Sequence, residues 1–277
     1  MKVIQSMVRA ASLACVIGAA QAAVVTIPQT ALGSSPGVYT AGGYYTDNLG
    51  PNIVTTGGGH AANVGQANGR NDDGFMQLNL GFNFTLYGTT YSSLFINNNG
   101  NVSFGSGISA YVPTGPTGAN APLISPYFSD VDTTNPSSGV VHYNLSANQL
   151  VVTWDNVGYY NSHATTLNSF QLVLRADSSN VPAGEGLIGF FYENMDWELT
   201  DTSQTAAIGF GDGQGNGEVL NGSLLSGLNS VVAYKYLWFD ANLNVVPPSG
   251  VPEPGSLALV ALAIVAAAAA ARGTRRC

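Results

Sequence analysis

Between residues 74 and 240, apolar and polar positions repeatedly alternate with period two. Val141, Tyr143 and Leu145 alternate with Val140, His142 and Asn144. After Ser146-Ala147-Asn148, Leu150, Val152 and Trp154 alternate with Val151 and Thr153. Successive side chains of an extended strand point to opposite faces, so each run carries one apolar face, and the short polar link predicts a hairpin. Phe170, Leu172 and Leu174 alternate with Gln171 and Arg175, and the pattern continues through Ile188, Phe190 and Tyr192 and through Ala206, Ile208 and Phe210. Upstream, Phe82, Phe84 and Leu86 predict one strand and Leu94 with Ile96 another. No stretch from 24 to 245 sustains a helical period. Many short strands imply two packed sheets or a barrel, of which the sandwich is favoured. Connections too short for parallel crossovers make it mostly antiparallel. The expected fold class is all-β, a mostly antiparallel β-sandwich, with a helix in the export signal and a second helix in the C-terminal tail.

Both ends read as addresses. Lys2 and Arg9 precede an apolar stretch, Ala10 to Ala20, and Ala20-Gln21-Ala22 offers the small residues that signal peptidase requires. Residues 1–22 are therefore expected to form a signal peptide cleaved after Ala22. At the other end, Val251-Pro252-Glu253-Pro254-Gly255 leads into an uncharged run, Ser256 to Ala271, and then Arg272-Gly273-Thr274-Arg275-Arg276-Cys277. At about 1.5 Å per residue such a run just crosses a bilayer core, and its basic flank stays cytoplasmic. This order resembles the PEP-CTERM sorting signal of Gram-negative bacteria, with Pro252, Glu253 and Pro254 as the triplet and Arg275 and Arg276 in the basic end. The resemblance implies an exosortase as partner and transient anchoring in the inner membrane. An ordinary C-terminal anchor is the alternative. The expected organisation is a signal peptide (1–22), a glycine-rich lead-in with one or two edge strands (23–73), the β domain (74–240), a spacer (241–250) and the sorting tail (251–277).

Composition narrows the chemistry of the body. Charged residues make up only 9% of the chain, while 45% hydrophobic and 10% aromatic residues suffice for a core that offsets chain entropy. The formal net charge is -8. Away from the ends the basic residues are Arg70, Arg175 and Lys235, set against a chain total of 16 acidic residues. Such a body is repelled by phosphate backbones, which excludes nucleic acid as a partner, and it suits divalent cations. Cys15 lies in the export signal and Cys277 is the last residue. The body therefore has no disulfide, zinc-thiolate site or cysteine nucleophile to rest on.

A second resemblance runs from about Leu80 to Phe239. It is carried by Phe82-Asn83-Phe84-Thr85-Leu86-Tyr87-Gly88, by Leu94-Phe95-Ile96-Asn97-Asn98-Asn99-Gly100-Asn101-Val102-Ser103-Phe104-Gly105, and by Pro122-Leu123-Ile124-Ser125-Pro126-Tyr127-Phe128-Ser129-Asp130-Val131-Asp132. It continues through Val152-Thr153-Trp154-Asp155-Asn156-Val157-Gly158, Phe191-Tyr192-Glu193-Asn194-Met195-Asp196-Trp197 and Ile208-Gly209-Phe210-Gly211-Asp212-Gly213. In this joint order the blocks resemble the NIDO domain, the extracellular module named after nidogen. The resemblance implies an outward-facing interaction role linked to cell-matrix adhesion, and no shared catalytic residues.

Asp130 and Asp132 are the most suggestive pair. Two apart on a strand, they would share a face with Ile124 and Phe128 at about 6–7 Å separation. Either a calcium ion with asparagine or backbone oxygens neutralises them, or both accept backbone N–H bonds and fix the following turn. Asn97-Asn98-Asn99-Gly100-Asn101 reads as a hairpin turn, and Gly211 to Glu218 as a loop. Neither Gly-x-Ser-x-Gly nor His-Glu-x-x-His occurs, so no catalytic residue is assigned and no enzyme is expected. Trp154 and Trp197 are expected in the core. The leading expectation is a non-enzymatic, exported adhesion or interaction module. It is processed by an exosortase and associates with exopolysaccharide, biofilm matrix or surface proteins. The alternative is a carbohydrate-active enzyme or lectin with acids and aromatics in a cleft.

Overall fold

The computed structural model describes residues 23–55, 68–111, 115–198 and 205–248. The signal segment with Ala20 and Ala22, and the tail with Pro252, Glu253, Pro254, Arg275 and Arg276, lie outside the described residues. In chain order the strands are β1 (Val24–Ile27), β2 (Gly33–Ser34), β3 (Asn52–Ile53), β4 (Phe75–Leu86), β5 (Thr89–Asn97), β6 (Asn101–Ser103), β7 (Pro122–Phe128), β8 (Val141–Leu145), β9 (Gln149–Tyr159), β10 (His163–Arg175), β11 (Ile188–Met195), β12 (Ala207–Asp212), β13 (Gly217–Leu220), β14 (Lys235–Phe239) and β15 (Val245–Val246). A short α-helix, α1 (Leu228–Val232), precedes β14.

The strands form two sheets. The first has the order β1-β13-β12-β7-β6-β5-β4 and the second β15-β14-β11-β10-β9-β8-β3, with β2 also paired to β14. Among the described strands only β1 with β13 is parallel. The expected hairpin forms in the register its alternation implies, with Val141 opposite Trp154, Tyr143 opposite Val152 and Leu145 opposite Leu150. Leu150, Val152, Trp154, Phe170, Leu172, Leu174, Phe190 and Tyr192 fill the space between the sheets from one side. Leu80, Phe84, Leu94, Ile96, Val102, Ile124 and Phe210 fill it from the other.

Trp154 organises this interior. Its ring stacks on Phe170 at 5.0 Å and 12°, and its indole N–H donates to the Asn98 carbonyl at 2.9 Å, joining β9 of the second sheet to the β5–β6 turn of the first. Tyr192 of β11 donates to the Pro126 carbonyl of β7 at 2.7 Å. Tyr127 of β7 donates to the Trp197 carbonyl at 3.0 Å, and Trp197 donates to the Val157 carbonyl at 2.9 Å. Each aromatic thus contributes buried area and satisfies a polar atom that would be costly to leave unpaired.

The second sheet departs from the simple one-faced reading. Val151, Val173, Phe191, Tyr236 and Trp238, on its outer face, form a buried cluster with Tyr39, Tyr45 and Val246. The lead-in covers that face. Tyr39 packs edge-on against Phe191 at 5.1 Å and accepts from the Trp238 indole at 2.8 Å. The Gln171 side chain accepts from the Tyr45 N–H at 3.0 Å and donates to the Thr46 carbonyl at 2.9 Å. Arg175 lies over the Trp238 ring at 4.5 Å and pairs with Glu185. The segment expected to be a spacer also returns to the sheet. Asp240 accepts from the N–H groups of Asn242 and Asn244, and β15 then pairs with β14.

Replacing Trp154 by alanine empties the centre of the sandwich and leaves the Asn98 carbonyl without its donor. The expected loss is about 3–5 kcal/mol of unfolding free energy, measurable by urea denaturation of the purified protein.

Candidate functional site: an acidic cluster where three turns meet

Three segments converge at one end of the first sheet: residues 71–74 leading into β4, the Asn98-Asn99-Gly100 turn between β5 and β6, and residues 129–134 following β7. The turn is a tight link between β5 and β6, with Asn97 paired to Asn101. It requires Gly100, which has φ +74° and lies so close to β7 that a Cβ would sit 1.8 Å from the Tyr127 carbonyl oxygen. Asparagine side chains then knit the segments together. Asn97 donates to Asn101 Oδ1 at 2.7 Å and to Ser103 Oγ at 3.0 Å, and it accepts from the Ile108 N–H at 3.0 Å. The Asn98 amide donates to the Asn71 carbonyl at 3.3 Å and to the Val131 carbonyl. Asn71 and Thr133 are tied by a Thr133 N–H bond to the Asn71 carbonyl at 2.9 Å and an Asn71 N–H bond to Thr133 Oγ1 at 2.8 Å. Arg70 donates to the carbonyls of Thr133 at 3.0 Å, Pro136 at 3.1 Å and Gly139 at 3.2 Å, fixing the segment beyond β7 to the lead-in.

Within this frame Asp130 and Asp132 have different surroundings. The expectation that they share one strand face with Ile124 and Phe128 fails for a local reason. The pairing of β7 with β12 shifts register between Ser125 and Phe128, so Ile124 lies in the main core while Phe128 joins a separate cluster with Ile108, Ala121 and Leu123. β7 ends at Phe128, before either aspartate. Asp132 accepts from the N–H and hydroxyl of Thr134 and from the Ser162 N–H at 2.7 Å, the bonding of a turn-fixing acid. Asp130 instead meets Asp72 and Asp73, whose carboxylate oxygens lie within 4.8 Å of its own and of each other.

All three of these acids are buried. Burial, reinforced by the neighbouring charges of Asp73, Asp72 and Asp132, pushes the Asp130 carboxyl up to about 8. Asp73 adopts φ 64°, a left-handed conformation that aspartate tolerates better than most residues. Asn99 donates to Asp73 Oδ1 at 2.7 Å and to the Ala110 carbonyl at 3.3 Å, and its own Oδ1 has no hydrogen-bond partner. Neither polar atom of the fully buried Asn71 side chain has one either. That side chain fits against Gly74, where a Cβ would lie 2.2 Å from Asn71 Nδ2. The arrangement offers hard oxygen donors from separate segments. Sequence reasoning found Asp130 and the asparagine turn but missed Asp72 and Asp73. The available signal was two adjacent acids followed by glycine immediately before a strand.

Other residues of types that could carry chemistry have structural roles. Trp154, Trp197 and Trp238 are all buried. Asp212 accepts from the N–H groups of Gln214 and Asn216 and so shapes the β12–β13 loop. Ser138 Oγ accepts from the Gly158 N–H at 2.9 Å. His163 stacks on Tyr159 at 4.7 Å.

The family model described as NIDO related matches residues 51–238, more than half of the chain and most of both sheets. The chain belongs to the NIDO-related family. The model for the PEP-CTERM protein-sorting motif matches residues 250–276 of this NIDO-related chain. Among curated proteins it is similar to alpha-tectorin of Gallus gallus, 26% identical over 166 residues, and to nidogen of Drosophila melanogaster, 27% identical over 172 residues. Each alignment covers 50% of this chain but only 7% and 12%, respectively, of those much longer relatives. No solved structure matches significantly. The NIDO-related body and the sorting motif make this an exported, cell-surface or extracellular protein.

The raised Asp130 carboxyl has a consequence in chelator-treated protein. From the ordinary value of 3.8 up to about 8, the folded state keeps a proton that the unfolded chain releases. The contribution of Asp130 to stability is therefore fully present below about pH 4 and is lost as pH rises towards 8. Asp130→Asn is expected to flatten that fall, as read by urea midpoints across the pH range in the presence of chelator.

Proposed function

We propose that this protein is a non-enzymatic interaction module displayed outside a Gram-negative bacterial cell. In this reading an exosortase removes its tail, and its body adheres to extracellular polysaccharide, biofilm matrix or surface proteins. The observation that carries the proposal is the joining, in one chain, of a NIDO-related body to a PEP-CTERM motif. The burial of all three tryptophans favours this reading over a carbohydrate cleft, which would use such rings as exposed stacking platforms.

Two measurements test the reading. The purified protein is expected to bind host exopolysaccharide or intact cell surface without releasing product. Glycan turnover abolished by a single carboxylate substitution would overturn the non-enzymatic assignment. In a host with an exosortase, Glu253→Ala is expected to leave the tail attached. Mass spectrometry of the extracellular protein reads the outcome, and normal processing of that variant would count against the sorting step.

A further inference from the structure

We propose that Asp72, Asp73 and Asp130 bind a calcium ion, with the buried amide oxygens of Asn99 and Asn71 as neutral ligands. The carboxylate oxygens lie within 4.8 Å of one another. Two ligands on opposite sides of one calcium ion, each at about 2.3–2.6 Å, are about 5 Å apart. A single ion therefore spans the cluster without rearrangement of the backbone.

The amides give the independent indication. Asn99 is 1% exposed and is already hydrogen-bonded through its nitrogen to Asp73, which leaves its oxygen at the cluster with no donor. Asn71 is 0% exposed and both of its side-chain polar atoms lack partners. A buried amide oxygen without a donor is destabilising, and a coordinated cation removes that penalty. The same oxygens are the neutral donors that calcium sites use beside carboxylates.

The donor set also selects the metal. It contains oxygen from carboxylates and amides, the chemistry of hard cations. The donors come from three turns rather than from one rigid element. Calcium accepts such irregular, many-membered shells, whereas magnesium demands a near-ideal octahedron and retains its waters. Three carboxylates buried together repel one another, and a divalent ion turns that repulsion into attraction. Bound there, calcium would pin the lead-in to the β5–β6 turn and to the segment beyond β7. Asp132 takes no part, because Thr134 and Ser162 already satisfy its oxygens.

Calcium chloride titrated into the chelator-treated full chain by calorimetry gives the direct test, with thermal unfolding alongside. Saturable binding of one ion is expected, with a rise in melting temperature on the order of 5 °C at saturation. Asp130→Asn and Asp72→Asn, which keep the shape of the side chain, are expected to abolish both. Asp132→Asn is expected to lower the melting temperature yet keep the calcium-dependent rise. No binding heat from the unsubstituted protein, an undiminished rise in both cluster variants, or an equal response to magnesium chloride would overturn the assignment.

Discussion

The indole of Trp154 reaches from the second sheet to a turn carbonyl of the first, and much of the molecule is arranged around that reach. The body has no cystine to fix the two sheets against each other. Dispersion and burial hold them together without a preferred direction. A hydrogen bond between buried groups adds direction, because shifting it by about an ångström strands a donor and an acceptor in an apolar medium. Trp154, Tyr192 and Tyr127 each carry an apolar ring into the core and end on a backbone carbonyl. Register between the sheets is thereby set by a few polar contacts placed where errors are most costly.

The same turn that receives the indole also frames the acidic cluster. Asn98 accepts Trp154 on its carbonyl and donates its side chain to the carbonyls of Asn71 and Val131. The core and the site are therefore mechanically continuous. A neutral amide is suited to this position, since it can both donate and accept without the desolvation cost of a charge. The carboxylates stand one layer further out, where the strands have ended and oxygen atoms from different segments can face each other.

Strand pairs close in sequence were legible from alternation. The β8–β9 hairpin kept the register that Val141 to Trp154 implied, and the β5–β6 link fell where Asn98-Asn99-Gly100 placed it. Relations between distant segments were not legible. Val173 and Trp238 are buried because Tyr39 and Tyr45 fold over them, and nothing in their own neighbourhood announces that cover. The face shared by Asp130 and Asp132 was misjudged because a one-residue shift within β7 reverses every side chain after it, and period-two counting carries no information about such a shift. Asp72 and Asp73 escaped notice for the first of these reasons: their partner is more than fifty positions away.

The placement of the first strands constrains the order of assembly. Ala23 bonds to a side chain 193 residues downstream, β1 lies against β13, and β2 lies against β14. None of these segments has a seat until the far end of the body has emerged from wherever the chain is threaded. Pairing over such separations is intrinsically slow, because the loop must close before the contacts form. In a polypeptide so wired, the first strands complete the two sheets only against strands from the opposite end of the body.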